Sequence, residues 1–82
     1  MELHAIESDI LQYLRDELGA AEDLSRDDPL FTSGAIDSFD LVQILSFLKE
    51  RYSLDVPPLD VSLENFDSLA RISALVAART AT

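Results

Sequence analysis

An all-α bundle is the fold class this sequence predicts, and three observations predict it. Apolar residues recur at intervals of three and four over three long stretches, the pattern of helices with one buried face. The two glycines and three prolines fall between those stretches, where they act as turn signals. Finally, 82 residues with 48% hydrophobic and 27% charged side chains make one small domain with a modest core, far from the disordered class.

The first helix is expected over about 3–18, as a single domain spanning 1–82 begins. Ile6, Ile10, Tyr13, Leu14 and Leu18 line one face, and Gly19 is a plausible stop. Glu2, Glu7 and Asp9 near its start suit the helix dipole; Asp16 and Glu17 near its end do not. Residues 19–37 form a long loop containing Asp27-Asp28-Pro29 and Ser33-Gly34. A loop of this length must pack down, with Leu24, Leu30, Phe31 and Ile36 as anchors, and such loops are often functional.

The helical signal is strongest over about 38–52. Leu41, Leu45, Leu48 and Tyr52 form its stripe, widened by Val42 and Ile44, so all six are expected to face inward. Asp37 is a suitable N-cap, and Asp40 three residues on completes a box-like pair. Residues 53–66 hold Pro57-Pro58 and read as an extended loop over the core, with Leu54, Val56, Leu59 and Val61 covering it and a short helical turn near 63–66. Asp67 is expected to cap a last helix, about 68–78, with Leu69, Ile72, Leu75 and Val76 inward. The tail Thr80-Ala81-Thr82 is expected to fray.

Composition excludes several functions. The net charge of −10, from 16 acids and 6 bases, argues against nucleic acid and anionic membranes and favours partners with basic surfaces. The acids concentrate in residues 1–28, whereas the second helix is nearly neutral. No stretch resembles a signal peptide or a membrane span, so a cytoplasmic monomer is expected. Cysteine is absent, so any thiol chemistry must arrive on a cofactor. Two glycines cannot build a phosphate-cradling loop. The acidic loop from Asp23 to Gly34 lacks the mid-loop glycine and closing glutamate of a calcium site. No resident metal is expected. His4 is the lone histidine; a hydrolytic pair with Ser38 would need the two side chains adjacent.

Ser38 lies at the mouth of the second helix, where amide N–H groups lack helical partners and the dipole is positive. A phosphate attached there would sit in a favourable field. The alternative is that Asp37-Ser38 only starts a helix.

The residues Asp28-Pro29-Leu30-Phe31, then Gly34-Ala35-Ile36-Asp37-Ser38-Phe39, then Leu45, Leu48 and Tyr52, then Val56-Pro57 and Glu64-Asn65-Phe66-Asp67-Ser68-Leu69 together resemble the carrier proteins: acyl, peptidyl and D-alanyl carriers. The resemblance runs the length of the chain. It implies an acyl-carrier-like four-helix bundle with three main helices, a short third helix and a long loop between helices 1 and 2. It implies a non-enzymatic role: Ser38 would bear 4′-phosphopantetheine from coenzyme A, with Asp37 helping to bind the Mg²⁺ of the transfer in complex with the transferase. The arm's thiol would then hold an acyl or aminoacyl group as a thioester. Implied partners are a phosphopantetheinyl transferase, a loading ligase, adenylating enzyme or acyltransferase, and a downstream synthase or tailoring enzyme. Phe39, Asp40, Gln43 and Ser46 are the expected partner contacts.

Departures from the fatty-acid branch indicate which carrier. The second helix lacks the usual acid-rich face, Phe39 replaces the usual leucine, Ser46 stands where a larger apolar residue is common, and Ile36 precedes Asp37. A Gly-Gly-Asp-Ser run is absent. The best fit is a discrete aminoacyl- or D-alanyl-like carrier of a specialised, secondary-metabolite pathway. The alternatives are a housekeeping fatty-acid carrier and a non-carrying acidic helical adaptor.

Overall fold

The computed structural model describes residues 3–80. It contains α1 (Leu3–Leu18), α2 (Ser38–Tyr52), a 3-10 turn at Pro58–Asp60, α3 (Leu63–Phe66) and α4 (Leu69–Thr80), with no strand among the described residues. The chain is the all-α, acyl-carrier-like bundle that its sequence predicts. Of the tail Thr80-Ala81-Thr82 expected to fray, Thr80 instead closes α4, its hydroxyl donating to Val76 carbonyl at 2.7 Å, while Ala81 and Thr82 lie outside the described residues, as does Glu2.

Each helix buries the face its periodicity marks. Ile6, Ile10 and Leu14 of α1 are fully buried, and so are Ile44 and Leu48 of α2 and Ile72 and Val76 of α4. α1 packs chiefly against α4, and α3 folds onto the start of α4. The long loop contributes Leu30 and Ile36 to this same core. A radius of gyration of 11.5 Å is that of a fully collapsed chain of this length, about 12 Å. The loop therefore packs down, with Leu24 and Phe31 half-buried against the core.

Helix ends follow local chemistry. Gly19 takes φ +70°, and Ala20 N–H donates to Leu14 carbonyl at 2.9 Å, a left-handed stop that satisfies an orphan acceptor. α2 ends on Ser53 with φ 54°, where Leu54 N–H reaches back to Leu48 carbonyl at 3.3 Å. That is the same device built without glycine, a conformation that disfavours a Cβ.

The structure corrects three expectations. Val42 is 62% exposed, because Ile44, Leu48 and Leu41 already fill the inward arc of α2 and Val42 falls on its flank. Leu59 is 95% exposed, since the Pro57-Pro58 turn swings it away while Leu54 and Val56 pack on the core. Asp67 does not cap α4. Ser68 does, its hydroxyl accepting from Arg71 N–H at 3.1 Å, and Asp67 is taken up by the long loop.

Candidate functional site

The loop that delivers the chain to α2 is tied down from a distance. Asp67 Oδ1 accepts N–H bonds from Phe31 (2.8 Å) and Thr32 (3.1 Å), and its Oδ2 accepts from the Thr32 hydroxyl at 2.9 Å. Leu30 N–H donates to the Asp67 carbonyl at 2.8 Å, and Ile36 N–H closes the loop onto Leu30 carbonyl at 3.0 Å. These donors hold the Asp67 carboxyl below its usual range: Thr32 N–H contributes most, and the Thr32 hydroxyl and the N–H groups of Phe31 and Leu30 add to it. Gly34, at φ +82°, makes the last turn before α2, a backbone state that suits glycine.

Asp37 then caps the helix. Its carboxylate accepts from Phe39 N–H at 3.0 Å and Asp40 N–H at 3.1 Å, while Asp40 Oδ2 accepts from Asp37 N–H at 3.2 Å. Both halves of a capping box are present, and Ser38 is released from the capping role. Ser38 is the first residue of α2, exposed, and among the described residues its hydroxyl makes no hydrogen bond.

The same geometry changes one detail of the expectation at the helix mouth, that its amides lack partners. The N–H groups of Phe39 and Asp40 are occupied by Asp37, and that of Leu41 bonds to Asp37 carbonyl at 3.0 Å. A phosphodiester on Ser38 would feel the dipole without being chelated by those amides, which leaves an attached arm able to swing. The residues fit a covalent phosphodiester: an exposed serine hydroxyl with no competing hydrogen bond among the described residues, at a positive helix end.

The surface next to Ser38 is largely apolar. Phe39 is 79% exposed, and Phe39, Val42, Gln43 and Ser46 succeed one another at intervals of three and four along the outer face of α2. Of the partner contacts read from sequence, Phe39, Gln43 and Ser46 are exposed; Asp40 is half-buried with its carboxylate turned into the cap. Val42 belongs with this face and was missed, because it fits an inward stripe as well as an outward one. Leu63 of α3, 53% exposed, is a second omission; only the fold brings it to the mouth of an apolar pocket of about 230 Å³ lined by Phe31, Leu41, Val61, Ser62, Leu63 and Phe66. On the flank, Lys49 pairs with Asp55 at 2.5 Å, so the face stays nearly neutral.

Comparison with known proteins fits this geometry. The family model described as "Phosphopantetheine attachment site" matches residues 8–76. The chain is 38% identical over 69 residues to the D-alanyl carrier protein of Lactobacillus acidophilus, covering 82% of this chain and 85% of that protein. It is 37% identical over 59 residues to "Lincomycin biosynthesis protein LmbN" of Streptomyces lincolnensis, covering 72% of this chain but only about a fifth (21%) of that protein. A chain in the solved structure called "Crystal structure of FAD-dependent dehydrogenase" is similar in fold, with a TM-score of 0.67 and 31% identity over 92% of this chain and 97% of that one. Among the described residues no helix is long and apolar enough to cross a membrane. Family model, relatives and fold agree that the chain belongs to the phosphopantetheine-binding carrier proteins, which are carriers and not enzymes and which hold 4′-phosphopantetheine covalently.

Proposed function

We propose that Ser38 bears the arm and that the chain is a discrete carrier presenting a small acyl or aminoacyl thioester in a specialised biosynthetic pathway. The observation that carries this reading is the exposed, unbonded Ser38 hydroxyl at the first residue of α2, with Asp37 doing the capping. In the transfer, Ser38 Oγ forms a bond to phosphorus while the pyrophosphate bond of coenzyme A breaks and the nucleotide portion leaves. The hydroxyl proton passes to a base of the transferase. Asp37 lies beside Ser38 and is the residue we assign to the Mg²⁺ of that complex. The arm supplies the thiol that this cysteine-free chain lacks, and tethering raises the cargo's effective concentration at each partner.

The relatives' names favour a small cargo: one is a D-alanyl carrier, another a lincomycin biosynthesis protein. The near-neutral face of Phe39, Val42, Gln43 and Ser46 favours the same branch over a housekeeping fatty-acid carrier read through acids. Partners are then a phosphopantetheinyl transferase, a loading ligase or adenylating enzyme, and a tailoring enzyme. A flavin-dependent dehydrogenase is one tailoring partner to test, given the structure the fold matches. The work is cytoplasmic, where coenzyme A is available.

Incubation with coenzyme A, Mg²⁺ and a broad-specificity transferase should add the mass of phosphopantetheine to the wild type and none to Ser38→Ala. Mass gain by the alanine variant would refute the assignment. Phe39→Ala and Val42→Ala should be loaded with the arm yet accept cargo from the loading enzyme about tenfold less efficiently, mainly through KM, as expected for losing an exposed apolar contact at an interface.

A further inference from the structure

A groove of about 340 Å³ runs between α1 and α2, on the flank of the face just described. Two aromatic rings line it: Tyr13 and Phe47 stack with centroids 4.2 Å apart and planes 18° from parallel, so each covers one face of the other. The Tyr13 ring is fixed in place, because its hydroxyl donates to Gln43 carbonyl at 3.1 Å. Asp16 and Glu17 also line it, both exposed and, among the described residues, neither carboxylate engaged in a hydrogen bond or ion pair. At the far end Arg51 donates to Asp9 Oδ2 from Nε (3.2 Å) and Nη2 (2.9 Å). That pair satisfies its own charge and lies about 10 Å, two helical turns, from Asp16. The groove therefore holds an aromatic platform beside two uncompensated carboxylates, and the charge it lacks is positive.

We propose that this groove docks an arginine side chain of a partner protein, its guanidinium continuing the Tyr13–Phe47 stack on an outer ring face and pairing with Asp16 and Glu17. Arginine fits better than lysine. Its planar group stacks on rings and bonds carboxylates in a fork, and it sheds water more readily than an ammonium. The platform is preorganised, so little ordering opposes binding. Negative charge already gathers at the ring: besides burial, Glu17, Glu50 and Asp40 push the Tyr13 hydroxyl above its ordinary pKa. Counting along α2 from Ser38, Phe47 and Arg51 lie about 14 and 20 Å away. A partner can thus grip the groove without covering the residue proposed to bear the arm. This docking role goes beyond the carrier reading and uses none of the side chains assigned to loading.

The test is nitrogen–proton NMR titration of the full chain with acetyl-Gly-Arg-Arg-Gly-amide and with its lysine and citrulline counterparts. The expected result is saturable shifts centred on residues 12–17 and 43–51, at least about threefold tighter for arginine than for lysine and absent for citrulline. Asp16→Asn with Glu17→Gln should weaken arginine binding about three- to tenfold at low salt, and Phe47→Leu should abolish the preference for arginine over lysine. Shifts centred on the acids at 22–28, equal affinity for the two cations, or no saturable binding would each overturn the proposal. Arm loading of the same samples is measured separately, and its failure would count against the Ser38 assignment alone.

Discussion

Ser38 and Asp37 are neighbours with different work, and substitution should separate them. Asp37→Ala removes the acceptor of two amide protons and should cost about 1 kcal/mol in urea unfolding. Ser38→Ala removes a hydroxyl that bonds to nothing within the described chain and should change stability by less than about 0.5 kcal/mol. The sequence shows this division only partly. An acid three residues before another, at the start of an apolar repeat, announces a cap, and both were legible as such. That Asp37's carboxylate would occupy the amides of Phe39 and Asp40, denying them to a phosphate, required the geometry. Asp67 was misread for a related reason. Next to Ser68 and a helix it looks like a cap, but its donors, Phe31 and Thr32, stand 36 and 35 residues away in sequence, and no local pattern announces a partner at that distance.

At the scale of elements, periodicity placed the helices because burying one face of an amphipathic helix is what stabilises it in a small domain. It failed at the margins of a face, as Val42 shows, and in the segment before α3, where Pro57-Pro58 reorients Leu59. The end of α2 offers a check on backbone conformation. Ser53 holds a left-handed φ of 54°, so Ser53→Gly should raise stability by about 0.5–1 kcal/mol in thermal or urea unfolding. The seam between α1 and α2 offers a check on pH. Tyr52 donates to Asp9 at 3.0 Å, and burial first, then that bond and the charge of Asp9, push its hydroxyl up to about 12 from 10.0. The folded state therefore favours the protonated phenol. Its contribution is complete below pH 10 and lost as pH rises through 12, where Tyr52→Phe should show a shallower decline. At neutral pH the same variant should cost about 1 kcal/mol.

For the whole molecule, charge sets the behaviour. A net charge of −10 opposes compaction, so added salt should stabilise the fold at neutral pH by screening repulsion. On acidification two carboxyls act the other way. Glu7 is held below 4.5, first by its hydrogen bond from Arg26, and Asp67 is held below 3.8, first by the N–H of Thr32. Because their folded values are depressed, their stabilisation is present above those ordinary values and is lost as pH falls through the lowered ones. Urea midpoints between pH 6 and 3 should therefore fall, and Asp67→Asn should both lower the midpoint at pH 6 and flatten that fall.

Whether Ser38 carries a phosphopantetheine arm is decided by intact mass and peptide mapping of the protein purified from the cells that make it. The expected result is a population heavier by one phosphopantetheine, with or without a small acyl or aminoacyl group, and all the added mass on the peptide containing Ser38. An arm on any other residue would contradict it, as would protein that stays unmodified in cells with an active transferase.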